Sequence, residues 1–191
     1  VEYRGSQIVA PVDLAISNEI TKAELSPIRS QAFETVDESV IDDYISSVSN
    51  LVTSENSLKI VYTALHGVGT EVFLKVFEKA RFSPPILVQE QVKPDPNFPT
   101  TPFPNPEEVG AIDLAIKYAK ESNADLVIAN DPDADRCAVA VNDPLSGWRM
   151  LRGDEVGVIL GNYLIKNNNS ASKAVANSLV SSSLLGKIAK K

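Results

Sequence analysis

Histidine and cysteine each occur once in this 191-residue chain, as His66 and Cys137. A lone cysteine excludes an internal disulfide, and one histidine with one cysteine leaves no ligand set of the kind zinc uses. A reducing compartment, the cytoplasm, fits that usage. No apolar run approaches the roughly 20 residues of a membrane span, and the opening VEYRGSQIVAP lacks the basic-then-apolar pattern of a signal peptide, so no membrane partner is expected. Basic clusters are scarce too. Nothing is denser than Lys187, Lys190 and Lys191, and 18 Lys+Arg stand against 25 Asp+Glu, a net charge of −7. Nucleic-acid affinity comes from Lys/Arg-rich faces, so no nucleic-acid partner is expected either. The chain begins at Val1 rather than methionine and ends in SLLGKIAKK, an amphipathic pattern of about two turns. Both ends look cut from something larger.

What is present is enough apolar residue, 43%, to bury a core. Residues 1–28 read as a strand-like piece and a short helical one, broken by Pro11 and closed by Pro27. From an N-cap at Asp37 or Ser39, the residues Ile41, Tyr44, Ile45, Val48 and Val52 recur at helical spacing. Ser57 to Ala64, bounded by Glu55-Asn56 and His66-Gly67, suits a buried strand, and Val72, Val76, Phe77 and Ala80 predict a helix. After a short strand at 86–89, six of the 12 prolines fall between Pro94 and Pro106. Proline cannot donate ladder bonds, so this stretch must be an extended surface loop.

Asn105-Pro106-Glu107-Glu108 has the form of a helix start, with Val109, Ile112, Ile116 and Ala119 carrying the helix. A strand at 125–129, a hairpin of 137–142 with WRML, and a helix over 153–165 follow. That last helix should turn Val156, Ile159, Leu160 and Tyr163 inward, with Gly157 and Gly161 allowing close approach to a sheet. Beyond the polar linker 167–170, a new strand and helix begin. The β-α-β-α-β order across 57–129 implies an α/β fold, a three-layer α/β/α sandwich with a mixed, largely parallel sheet.

The sharpest chemical feature is Asp131-Pro132-Asp133-Ala134-Asp135-Arg136, directly after a buried strand. In an extended chain, side chains at i, i+2 and i+4 point the same way, so three carboxylates would converge at the strand's carboxyl end, where open α/β sheets bind ligands. Like charges roughly 4 Å apart repel by about 4 kcal/mol per pair at an effective dielectric of ~20, which calls for a compensating cation. Oxygen-only ligation points to Mg²⁺, with Mn²⁺ as the alternative. Arg136 adds a planar cation suited to a phosphate oxygen, and the implied chemistry is phosphoryl transfer.

The bland alternative is a solvated acidic turn with Arg136 as its counter-charge. An EF-hand is excluded by Arg136 and Asn142, where that loop needs Gly and Glu. An aspartyl-phosphate phosphatase fits poorly, because Asp135 stands where Thr or Val is expected. His66-Gly67-Val68-Gly69-Thr70 could cradle an anion, but it lacks a third glycine, and tight-turn packing is the better reading. Capping explains Arg152-Gly153-Asp154-Glu155 better than support of the metal loop does. Trp148 reads as hairpin packing, and Cys137 as an inert residue in a buried strand.

Taken together, GSQIVAPVD (5–13), ALHGVGTEVF (64–73), PDPNFPTTPFPNPEE (94–108), NDPDADR (130–136), LRGDEVG (151–157) and VSSSLLGKIAK (180–190) resemble the α-D-phosphohexomutase superfamily of phosphoglucomutases and phosphomannomutases. The Pro and Ala variant of the acidic loop looks closest to members that include phosphopentomutase-like enzymes. The resemblance implies a four-domain, Mg²⁺-dependent enzyme whose phosphoserine exchanges phosphate with a sugar phosphate through a bisphosphate.

On that basis residues 1–28 would end the first domain, 37–165 would be the metal-binding second, and 172–191 would open the third. Asp131, Asp133 and Asp135 would be the metal ligands, and Arg136 would reach the phosphoserine phosphate. The family's Thr-Ala-Ser-His-Asn-Pro serine loop, Glu-x-Ser-Gly sugar loop and Arg-x-Ser-Gly-Thr phosphate site are not found here. A hexose or pentose phosphate would therefore be engaged through domains outside this chain, and the chain should not be a mutase by itself. The rival readings are a non-catalytic regulatory or interaction module that kept the fold, and a metal-dependent phosphatase.

Overall fold

The computed structural model describes residues 7–23, 32–52, 57–168 and 174–190. The chain divides into two compact units, Val1–Asp37 and Glu38–Lys191. The first contains a helix, α1 (Val12–Lys22), with Pro11 at its N-cap, Asp13 in the first turn and Lys22 in the last. Those charges suit the helix dipole. The strand expected before Pro11 is absent over 7–10, and residues 1–6 and Pro27 lie outside the described residues.

The second unit is built on a five-stranded sheet in the order β2-β1-β3-β4-β5. Its elements run α2 (Ser39–Ser49), β1 (Ile60–Thr63), α3 (Thr70–Lys79), β2 (Ile86–Leu87), α4 (Asp113–Ser122), β3 (Leu126–Asn130), β4 (Cys137–Asp143), β5 (Gly147–Met150), α5 (Gly153–Asn167) and α6 (Leu184–Ile188). Strand β1 pairs in parallel with β2 and β3, whereas β3-β4 and β4-β5 are antiparallel, so the sheet is mixed as expected.

Layering follows from the period-2 alternation of strands. Val61, Val127, Ala129, Ala138 and Ala140 form a buried cluster with Ile112, Ala115 and Ala119 of the α4 segment, and Trp148 and Met150 pack at its margin. On the other face Tyr62 stacks on Phe73 of α3 with ring centroids 3.8 Å apart, and Phe73 stacks on Phe77 at 4.2 Å. Helix α2 packs on α3 and buries Ile45. Strand β1, covered on both faces, is buried throughout.

Several boundaries depart from the sequence pattern. The N-cap of α2 falls on Glu38 rather than Asp37 or Ser39. Strand β1 is four residues long, because Lys59 is already bound outside the ladder by the Asp125 carboxylate, 2.7 Å from its N–H; Glu55-Asn56 lie outside the described residues. Residues 89–91 form a 3₁₀ turn instead of extending β2, which turns Gln91 inward.

The largest shift is at α4, which starts at Asp113 and not at Pro106. Gly110 adopts φ +86°, a left-handed conformation that no α-helix contains, and Val109 is fully exposed. Cys137 is exposed, since it opens β4 where the strand emerges beside the acidic loop.

The inward face expected for α5 is mostly uncovered. Ile159, Leu160 and Leu164 are exposed, and Val156 is half-buried. Gly161 lies against Leu185 of α6 rather than a sheet, and a Cβ on Gly157 would point into open space. The strand expected before α6 is absent over 174–183, and residues 169–173 lie outside the described set. Among the described residues, no helix is long and apolar enough to cross a membrane.

The hairpin and α5 are joined by charge. Glu155 accepts the Arg152 N–H at 2.8 Å, capping α5 as the Arg-Gly-Asp-Glu pattern implied, and pairs with Arg149 at 3.1 Å. Arg149 also reaches Asp143, at 3.4 Å. The Arg152 N–H and then Arg149 hold the Glu155 carboxyl below its usual range, and the Leu145 and Ser146 N–H groups do the same for Asp143. A carboxyl lowered by folding stabilises the fold above its unfolded pKa, and that stability is lost as pH falls through the folded value. The urea midpoint should therefore decline as pH drops below about 4, near the reference values of Asp and Glu. A chain carrying Asp143→Asn and Glu155→Gln should show a shallower decline; equal slopes would exclude these two groups as contributors.

Candidate metal centre

Strand order 2-1-3 creates a crevice. From β1 the chain passes through α3 to β2, whereas from β3 it turns to β4 on the opposite side. The loops at the carboxyl ends of β1 and β3 thus diverge, the place where open α/β sheets take ligands. Residues 64–70 occupy one lip and 131–136 the other.

The two lips fit closely. A Cβ on Gly67 would lie 2.3 Å from the Pro132 Cα, and one on Gly69 would lie 2.9 Å from the Tyr62 hydroxyl and 3.1 Å from the Ala134 Cβ. The Val68 N–H donates to the Pro132 carbonyl at 2.9 Å. Leu65 and His66 carry φ of 47° and 63°, which reverses the chain tightly enough to present the glycines. His66 is buried, its Nε2 2.8 Å from the Thr100 hydroxyl. The glycine motif is therefore turn packing, with the acidic loop as the surface it packs against.

Asp131, Asp133 and Asp135 come together: each offers a carboxylate oxygen, and these lie within 4.8 Å of one another. The route differs from the expected strand alternation. The Ala134 N–H donates to the Asp131 carbonyl at 3.0 Å, and Ala134 has φ +59°, so a turn, not an extended chain, gathers the acids. Asp131 is wholly buried, whereas Asp133 and Asp135 face solvent.

Arg136 answers the buried charge. Its backbone N–H donates to Asp131 Oδ1 at 2.9 Å and its Nε to Oδ2 at 2.7 Å. Burial pushes the Asp131 carboxyl up, but these donors outweigh it and hold the group below its usual range, ionised at neutral pH. Asp135 is pushed up, first by its hydrogen-bonding contact with Asp131 and then by the charge of Asp133. Three acids that gather their oxygens within 4.8 Å, with two open to solvent and only oxygen donors, fit a hard divalent ion that keeps some water ligands.

Three supporting residues were not singled out by sequence. The Tyr62 hydroxyl donates to Asn130 Oδ1 at 3.0 Å, and Asn130 Nδ2 donates to the Arg136 carbonyl at 2.7 Å, closing the loop's base. Burial and then nearby Cys137 push the Tyr62 phenol up, which keeps it a donor. Gln91 ties β1 to the proline-rich loop through Thr63 at 2.6 Å, Thr100 at 2.8 Å and Thr101 at 3.2 Å. Asn130 is adjacent to the acidic run, and that adjacency is the one local signal any of the three offered. Arg152 and Asp154 pair with each other at 3.3 Å; the capping role of this segment is the one with contacts to show.

The family model described as phosphoglucomutase/phosphomannomutase, alpha/beta/alpha domain II, matches residues 42–147, more than half the chain. The chain belongs to the phosphoglucomutase/phosphomannomutase family. It is 48% identical over 192 residues to a Haemophilus influenzae protein named probable phosphomannomutase, covering 98% of this chain and 40% of that protein. It is 37% identical to the Saccharomyces cerevisiae phosphoribomutase, covering 97% of this chain and 35% of that enzyme. A crystal structure of a phosphoglucomutase/phosphomannomutase family protein from Burkholderia thailandensis superimposes with a TM-score of 0.65 at 22% identity, covering 86% of this chain and 34% of that one. The chain thus spans about 40% or less of the length of these family members.

The contact between the lips is directly testable. Gly67→Ala drives a methyl group into the Pro132 backbone, which cannot yield as a flexible side chain can, and should cost about 3 kcal/mol in urea unfolding. A loss below about 0.5 kcal/mol, the ordinary surface range, would mean that the lips separate freely.

Proposed function

We propose that this chain is the metal-binding module of a phosphosugar mutase, an isomerase that moves phosphate within a sugar through a phosphoserine and a bisphosphate. The observation that carries the reading is the gathering of three carboxylate oxygens within 4.8 Å on one loop of a phosphoglucomutase/phosphomannomutase family chain. In this reading 1–28 closes a preceding domain, 37–165 is the metal-binding domain and 172–191 opens the next. The protein works in the cytoplasm, on a hexose or pentose phosphate held by the remainder of the longer enzyme. Neither nucleic acid nor membrane is a partner.

Asp131, Asp133 and Asp135 would hold Mg²⁺, or Mn²⁺ in its place. A bound divalent ion supplies positive charge against the phosphoryl oxygens as charge shifts among them. The chain's own residues prepare that place. Asp131 is fixed and ionised by Arg136 before any ligand arrives, so its charge is oriented without a reorganisation cost. Asp133 and Asp135 remain open to the crevice. Arg136 spends one donor on Asp131 and, with its side chain 54% exposed, has further N–H groups for phosphate oxygens arriving from solvent. Ala134 keeps the turn narrow, and Pro132 gives up no backbone donor there.

Calorimetric titration of the chain with Mg²⁺ should show binding that Asp133→Asn weakens about ten-fold or more, because affinity follows the ligand charge count. Equal heats for both proteins would remove the metal assignment. The chain alone should not interconvert hexose 1- and 6-phosphates, and turnover by it would overturn the view that the remainder of a longer enzyme is required. Hydrolysis of an aryl phosphate by the chain alone would point to a phosphatase instead.

A further inference from the structure

We infer that Asn105, in the proline-rich loop, is a positioning residue for the acidic loop: it holds one arm of the Arg136 guanidinium so that the other stays closer to buried Asp131 than to exposed Asp135. The inference rests on the metal-binding reading above. Asn105 Oδ1 accepts from Arg136 Nη1 at 3.2 Å while Arg136 Nε donates to Asp131 Oδ2 at 2.7 Å, so the guanidinium bridges two acceptors from separate loops. The same Nε is already 3.5 Å from Asp135 Oδ1.

Asn105 is itself fixed. Its Oδ1 also accepts the Glu107 N–H at 3.2 Å, its own N–H donates to the Phe103 carbonyl at 2.9 Å, and its carbonyl accepts from Glu108 at 3.0 Å. Pro106, fully buried behind it, confines its backbone to the extended region. The half-exposed Arg136 side chain is held by Asp131 and Asn105, with Asp135 the next acceptor within reach. Without the Asn105 oxygen, one of the two contacts that hold the fork in place is lost, and it can shift further onto Asp135. A guanidinium there neutralises charge that a divalent ion uses. Groups that orient metal ligands from behind are commonly worth about 10- to 100-fold in metal affinity.

The test is Mn²⁺ binding to the 191-residue chain, read from the electron paramagnetic resonance of free Mn²⁺, with circular dichroism melts alongside. Asn105→Ser keeps a hydroxyl for the Glu107 N–H but is too short to reach Arg136, and it should weaken Mn²⁺ binding about ten-fold. Asn105→Asp keeps an oxygen in place and should bind as well as wild type or better. Arg136→Lys keeps the charge but not the fork, so it should match the Asn105→Ser loss, and adding Asn105→Ser to it should cost nothing more. The inference is overturned if Asn105→Ser binds like wild type, if it loses the same factor in the Arg136→Lys background, or if it is unfolded at the assay temperature. Absence of Mn²⁺ binding by the wild-type chain would sink the metal reading itself, while binding with an additive cycle would sink only the role of Asn105.

Discussion

A carboxylate with no solvent contact must find donors inside the protein, and the burial of Asp131 imposes that demand on everything around it. An uncompensated buried ion costs several kcal/mol. Both Asp131 oxygens are satisfied by a single residue, Arg136, through backbone and side chain together. The loop must therefore curl back within five residues, and the left-handed Ala134 and the Asp131–Ala134 turn are how it does so. Convergence of the other two acids is a by-product of the same curl.

The curl needs a rigid floor, which comes from the parallel half of the sheet. Tyr62 in β1 and Asn130 at the end of β3 form a relay that fixes both ends of the loop. The turn after β1 presses two glycines against Pro132 and Ala134. Gln91 and His66 then fasten the proline-rich segment to that turn through Thr100. Three segments far apart in sequence become one unit around the crevice, and the antiparallel half of the sheet, with α5 tethered by Glu155 and Arg149, braces it from the far side.

The family relationship and the geometry support each other at different levels. Family membership names a class of phosphosugar mutases, and relatives whose names indicate mannose, ribose or pentose phosphates show that the fold does not fix the sugar. The module supplies concentrated, pre-oriented negative charge at a sheet's switch point. Apolar residues Ile159, Leu160 and Leu164 on α5 face outward in this chain, so that helix adds little to the core around the sheet.

Local chemistry in the sequence determined much of this protein. Hydrophobic spacing located every strand of the sheet and the helices of the second unit, and the acidic run marked the site, because those signals depend on neighbours within a few positions. Tertiary structure decided the rest. Asn105 has every local property of a helix N-cap, yet Gly110 delays the helix and the Asn105 oxygen is spent on Glu107 and on Arg136, 31 residues away. Asp131, Asp133 and Asp135 share a side in an extended chain too, but the burial of Asp131 and the turn it enforces bring them together. Which donor meets which acceptor across the crevice depends on how β1 and β3 are paired, and pairing of Ile60 with Leu126 leaves no local trace in the chain.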